Sequence, residues 1–194
     1  MSGPGFLLMD KRAVIRKLFH FSSASIPLCY LLAGKGAALI FAATLLVLSA
    51  GFEYLRIRGK IDTSLIRKYM QIKDAESVKP TGSFFYLLAV PLTILFFRET
   101  IAVASLFVVA LADPLSSIAG QLWGRSRVLG KSIEGSSVFF VVSFFILSVF
   151  CFPLPVRVAA ALVATLVELF TPKWLDDNLT IPLITGAALP VFSA

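Results

Sequence analysis

The strongest constraint on this chain is a succession of apolar runs separated by short charged connections. They lie at roughly 18–33, 37–55, 82–97, 101–120, 136–152, 156–171 and 178–193. Runs of this kind cross a bilayer as helices, whereas a barrel would show ten-residue segments of alternating polarity. Charged residues make up only 15% of the chain against 58% hydrophobic, with a mean hydropathy of +0.89, far from the mixture of a water-soluble domain. The expected fold is therefore all-α and integral to a membrane: one polytopic bundle of about seven transmembrane helices, a single domain over residues 1–194. Several runs are short for a hydrocarbon core of about 30 Å, so some helices are expected to start at the interface or to sit in thinned bilayer. Prolines at 27, 91, 114, 182 and 190 are expected to kink their helices.

A net charge of +7 in another setting would suggest nucleic acid, but here the basic residues sit between the apolar runs. With alternate connections assigned to one side, fifteen of the eighteen Lys and Arg fall there, leaving only Lys35, Arg98 and Arg157 opposite. That bias predicts a cytoplasmic N-terminus and an outside C-terminus. No nucleic-acid partner is expected. Cys29 and Cys151 lie in apolar runs without metal-ligand spacing, so both read as free buried thiols. The first run lacks the short apolar core and cleavage site of a signal peptide and is expected to remain in the mature chain. Between Arg56 and Thr81 runs the longest polar connection (56–81), where Ile61, Leu65, Ile66, Tyr69 and Ile72 recur at helical spacing. This predicts an amphipathic helix on the cytoplasmic leaflet.

Acidic residues follow the same asymmetry, although orientation does not demand it. Glu53, Asp113, Glu134, Glu168, Asp176 and Asp177 all fall at the ends expected to be cytoplasmic, and such a concentration of carboxylates among cations reads as a site. The richest stretch is Ala110–Ser136, which starts inside an apolar run and leaves it carrying Gly, Ser, Arg and Lys. Asp113-Pro114 predicts a break or kink, with Asp113 capping a new helical segment whose spare N–H groups face an anion. Ser117, Gly120 and Gly124 follow Asp113 on about one helical face, and the glycines also fit a close helix-packing motif. Gly130-Lys131-Ser132 looks like the end of a phosphate-binding loop, but position 125 is Arg where that motif needs Gly. Lys131, Ser132, Gly135 and Ser136 are nonetheless expected to supply charge and N–H donors to phosphate. Arg16 and His20 lie one helical turn apart, Glu53 and Arg56 are spaced to pair, and Glu168 with Asp176, Asp177 and Asn178 offers a second group of cation ligands.

Taken in order, R-K-L-F-H at 16–20, G-F-E-Y-L-R at 51–56, K-P-T-G at 79–82, A-D-P-L-S-S-I-A-G at 112–120, G-K-S-I-E-G-S at 130–136, E-L-F-T-P at 168–172 and D-D-N-L-T-I-P at 176–182 resemble the polyprenol kinase family. That family includes dolichol kinase, phytol kinase and CTP-dependent diacylglycerol kinase. Pro114 stands where many members carry glycine. The resemblance implies Mg²⁺-dependent transfer of the terminal phosphoryl group of CTP, or another nucleoside triphosphate, to the hydroxyl of a membrane lipid. It implies catalytic roles for Asp113, Lys131, Glu168 and Asp177. Asp113, Glu168, Asp176 and Asp177 would hold metal, and Lys79, Thr81, Ser117, Gly120, Gly124, Lys131, Ser132, Gly135 and Ser136 would contact the nucleotide. Arg16, His20, Glu53, Arg56, Glu134 and Asn178 remain further site candidates. The expected location is the plasma membrane of a prokaryote or an endoplasmic-reticulum-type membrane, with the site facing the cytoplasm. Two alternatives stay open: a CTP-dependent cytidylyltransferase acting on a lipid phosphate, and a small ion-coupled transporter using the buried carboxylates.

Overall fold

The computed structural model describes residues 21–61, 79–172 and 175–193. Arg16, His20 and residues 62–78 of the expected amphipathic helix lie outside the described residues. Within them the chain is helical: α1 (Ser25–Ile57), α2 (Gly82–Phe96), α3 (Glu99–Phe107), α4 (Asp113–Trp123), α5 (Ile133–Val149), α6 (Leu154–Phe170) and α7 (Asp177–Ser193). The all-α expectation holds, with one small addition: a two-residue ribbon, β1 (Arg127–Val128) against β2 (Lys131–Ser132), is inserted between α4 and α5. Its two-residue turn, Leu129-Gly130, has φ of 51° and 92°. Positive φ at both positions is what a tight hairpin requires, and glycine accepts it without strain.

α1 is two arms, not one rod. Gly34 has φ 81° and ψ 176°, outside helical geometry, and breaks the helix between the first two expected spans. Contacts on either side show that the chain reverses there. Tyr86 donates its hydroxyl to the Ser23 carbonyl at 3.0 Å, and Glu53 accepts from Thr81, so residues thirty apart both meet the beginning of α2. A straight helix would hold them about 45 Å apart.

α3 and α4 form one continuous helix over 99–123, joined by a π-helical turn at Val108–Ala112. Here the expectation of a break at Asp113-Pro114 is corrected. Asp113 has helical φ/ψ of −62° and −51°, and the helix runs through it, so Asp113 does not cap a new segment. Proline lacks an N–H and crowds the carbonyl four residues earlier, and a wider π turn just before it accommodates both defects without ending the helix. Pro91, Pro182 and Pro190 also lie inside helices.

This 99–123 helix is the centre of the bundle. Ala102, Val103, Ala104 and Leu106 on α3 are fully buried, and α3 touches α1, α2, α5 and α7. Around it α1 packs on α2, α2 on α7, α7 on α6, α6 on α5 and α5 on α4. The outside is apolar: Leu32, Ile40, Val47, Phe96, Val149 and Val191 are each at least 70% exposed. Water would penalise such a surface and hydrocarbon would not. Among the described residues, two helical stretches, 25–57 and 99–123, are long and apolar enough to cross a membrane. The helices α2, α5, α6 and α7, at 15 to 17 residues, rise only about 22–26 Å.

Candidate functional site

Alternate connections bring the end of α1, the start of α2, the end of α4, the ribbon, the start of α5, the end of α6 and the start of α7 to one end of the bundle. A pocket of about 360 Å³ opens there. It is lined by Asp113, Ser116, Ser117, Gly120 and Gln121 from α4, by Arg127, Gly130, Lys131 and Ser132 from the ribbon, by Gly135 and Ser136 from α5, and by Glu168 and Asp177. Residues more than sixty positions apart thus share one cleft.

Its walls approach closely because they lack side chains. A Cβ on Gly120 would lie 2.5 Å from Ser132 Oγ, and one on Gly135 would lie 2.8 Å from the Ser116 carbonyl oxygen. Any larger residue would push α4 and α5 apart and change the pocket floor. Ser132 caps α5, its Oγ accepting from the Gly135 N–H at 3.0 Å.

The charges are arranged around Lys131. Its Nζ is 2.8 Å from Glu168 Oε1 and 2.8 Å from Asp177 Oδ2. Burial alone would pull this ammonium's pKa down, but the Asp177 and Glu168 carboxylates outweigh it and push the value up to about 12. Lys131 is therefore a permanent cation at neutral pH. Glu168 is buried and also accepts from Ser136 Oγ at 3.1 Å through its other oxygen. Asp113, half-buried, faces the same cleft from the central helix.

Other expected site residues have different partners. Gly124 ends α4 outside the pocket lining, where a Cβ would meet Ser132 Cβ at 2.8 Å, so it serves the close packing of α4 on the ribbon. Lys79 and Thr81 also lie outside that lining. The Lys79 carbonyl accepts from Arg56 Nη2, and Thr81 gives its N–H and hydroxyl to Glu53 Oε1 at 3.0 and 2.7 Å. Arg56 Nε donates to Glu53 Oε2 at 2.8 Å, with both side chains about 95% buried. Glu53 and Arg56 thus clamp the 79–82 segment onto the end of α1. Gly82 in turn sits against Asn178, whose Nδ2 is 2.7 Å from where a Cβ would be. Asp176 Oδ1 accepts from the Asn178 N–H and Nδ2 at 3.0 and 2.9 Å, and it is Asp177, not Asp176, that lines the pocket. Glu134 Oε1 accepts from the Arg125 N–H at 3.1 Å and secures the start of the ribbon.

Arg127 and Gln121 are lining residues that the sequence did not single out. Arg127 stands directly opposite Ser132 in the ribbon, and residues so paired project from the same face, which turns it toward the pocket. The available signal was the Arg-Val and Lys-Ser pairs flanking Leu129-Gly130, which is hairpin spacing.

Magnesium commonly uses one or two protein carboxylates together with waters and phosphate oxygens, not a closed protein cage. The pocket matches that habit. Its ionic oxygens belong to Asp113, Glu168 and Asp177, no imidazole or thiol lines it, and among the described residues no three His, Cys, Asp or Glu side chains gather around one point.

Comparison with known proteins bears on these features. No protein-family model and no solved structure matches the chain. It is similar to an uncharacterized protein of Rickettsia prowazekii, with 28% identity across 91% of this chain and 93% of that protein. It is also similar to the phytol kinase of Synechocystis sp., with 32% identity across 94% of this chain and 80% of that protein.

Proposed function

The chain belongs to the phytol kinase family, and on that premise we propose that it is a membrane-integral lipid-alcohol kinase. It transfers the terminal phosphoryl group of a nucleoside triphosphate, CTP in the first instance, to an isoprenoid alcohol or diacylglycerol. The observation that carries this reading is the pocket in which Asp113, Glu168 and Asp177 face Lys131 and Arg127 beside glycine-lined walls. Phosphoryl transfer asks a protein mainly for in-line positioning and for neutralisation of spread negative charge. A cleft with two cations, three carboxylates and closely approaching backbone offers both.

In this reading Lys131 and Arg127 bind the triphosphate oxygens, with Ser132, Ser136 and the Gly135 backbone alongside. Asp113, with Glu168 or Asp177, would hold Mg²⁺, which when bound neutralises phosphate charge and aligns the transferring group. Lys131 bridges Glu168 and Asp177 at 2.8 Å to each, so triphosphate arriving at Lys131 competes with both carboxylates. The carboxylate thereby released nearest the alcohol accepts its proton. The chain crosses the membrane seven times, with the 113–136 end of the bundle at the cytoplasmic face where nucleotide is available.

The test is an assay of the purified protein with Mg²⁺, radiolabelled CTP or ATP, and a panel of farnesol, geranylgeraniol, phytol, dolichol and diacylglycerol. Expected products are the nucleoside diphosphate and a labelled lipid phosphate. Pyrophosphate release with a lipid phosphate acceptor would instead indicate cytidylyl transfer, and no product from any alcohol would refute the kinase reading.

A further inference from the structure

The starts of α2 and α7 pack together at the pocket wall formed by Asp177, and the contact between them is a glycine against an amide. Asn178, only 6% exposed, places its Nδ2 2.7 Å from where a Gly82 Cβ would be. The same nitrogen donates to Asp176 Oδ1 at 2.9 Å and comes within 3.4 Å of Asp177 Oδ1. Both neighbours are carboxylate oxygens, which only accept, so the amide is fixed with its nitrogen toward them. Its own oxygen is left buried with no hydrogen-bond partner among the described residues. Burying an unpaired carbonyl costs free energy, and an apolar side chain of the same size would fill this place without that cost. What only the amide supplies here is its nitrogen.

That nitrogen stands behind a pocket carboxylate. Asp177 gives Oδ2 to Lys131 Nζ at 2.8 Å and turns Oδ1 to Asn178. At 3.4 Å the second contact is long for a hydrogen bond, so it acts chiefly as a partial positive charge facing one oxygen. Asn178 is itself held from two sides. Asp176 fixes both its N–H and its Nδ2, and the 79–82 segment that carries Gly82 is clamped onto α1 by Glu53 and Arg56. The amide thus rests on a segment tied to the end of α1.

We infer that Asn178 is a positioning residue for Asp177: seated on Gly82 and held by Asp176, its carboxamide keeps the Asp177 carboxylate turned into the pocket, where the outer oxygen takes a cation. In this structure that cation is the Lys131 ammonium. On the kinase reading, on which the inference rests, the same oxygen then serves Mg²⁺ once nucleotide has drawn Lys131 away. Without its backing the carboxylate is free to rotate, and groups that orient a ligating side chain commonly govern metal affinity by about ten- to a hundredfold. Gly82 acts by the same route, because a Cβ there would displace the amide end of Asn178 and not backbone.

The experiment titrates Mn²⁺ into the full chain in detergent with β,γ-methylene-CTP present and reads bound Mn²⁺ by electron paramagnetic resonance, which needs no turnover. Asn178→Ala should weaken Mn²⁺ binding about tenfold, and Asn178→Leu, which keeps the volume and removes the nitrogen, should do the same. Gly82→Ala should weaken it by a similar factor in the wild type and have no further effect in Asn178→Ala. Asn178→Ala in turn should have no further effect in Asp177→Asn, since residues that act through one another are not additive. Unchanged Mn²⁺ affinity in both Asn178 variants, or a loss of the same size in the Asp177→Asn background, would make Asn178 a residue that only holds the fold and would overturn the inference, whatever happens to Tm. If the couplings are found and no alcohol is phosphorylated, the positioning role stands and the kinase reading falls; if alcohols are phosphorylated and both Asn178 variants bind Mn²⁺ as the wild type does, the reverse holds.

Discussion

Arg56→Met offers the sharpest test of how this end of the bundle is held together. Glu53 and Arg56 are each about 95% buried, and the carboxylate divides its oxygens between Arg56 on one side and the Thr81 N–H and hydroxyl on the other. Methionine keeps most of the volume but leaves Glu53 as a buried charge whose cation is gone. Removing one partner of such a pair costs about 3 kcal/mol at the lower end of what is observed. For a chain of about this length each kcal/mol lowers Tm by roughly 2–4 °C, so a fall of about 6–12 °C is expected by fluorescence-monitored melting in detergent. Glu53→Gln combined with Arg56→Met removes both charges and should regain most of that loss, since a neutral pair does not carry the desolvation penalty. A single variant that melts with the wild type, or a double variant whose loss equals the sum of the two singles, would show that the charges are not coupled and would refute the clamp.

The remaining expectations concern the pocket. Asp113→Asn should abolish turnover while melting close to wild type, because the isosteric amide retains the packing around α4 and loses only the charge; near-normal activity would remove Asp113 from the site. Lys131→Met should weaken nucleotide binding by about ten- to a hundredfold, the worth of a charge-assisted contact, as read by equilibrium binding of labelled nucleotide. Because the Lys131 pKa is raised from its ordinary 10.5 to about 12, its contribution to stability is complete below pH 10.5 and is lost as pH rises through 12. Melting followed over that window should show the loss in wild type and not in Lys131→Met. Gly135→Ala places a methyl 2.8 Å from the Ser116 carbonyl oxygen and should cost about 1–3 kcal/mol, with a matching fall in Tm.

Asp177 and Asp176 show how adjacent residues of one type can divide their work. Asp177 begins α7 and reaches Lys131, while Asp176 holds the turn together through Asn178. Similarly, Glu53 looks like a site carboxylate by its position in the chain, and its two oxygens hold Thr81 and Arg56. The relationship to phytol kinase covers nearly the whole chain, including these supporting residues as well as the pocket.

From the order of residues alone come the helical class, the reversal of chain direction between the first two apolar runs, and the set of blocks at 112–120, 130–136 and 168–182 that meet in one cleft. These are local properties: hydropathy over a window and the chemistry of short motifs report on the few residues that carry them. The continuous path of the central helix through Asp113, the turn of Arg127 into the pocket, and the sharing of Lys131 between Glu168 and Asp177 were decided only by tertiary structure. Each depends on which faces of distant helices meet, and a neighbouring side chain on a helix points about 100° away, so a register set by packing selects one carboxylate of a pair and excludes the next.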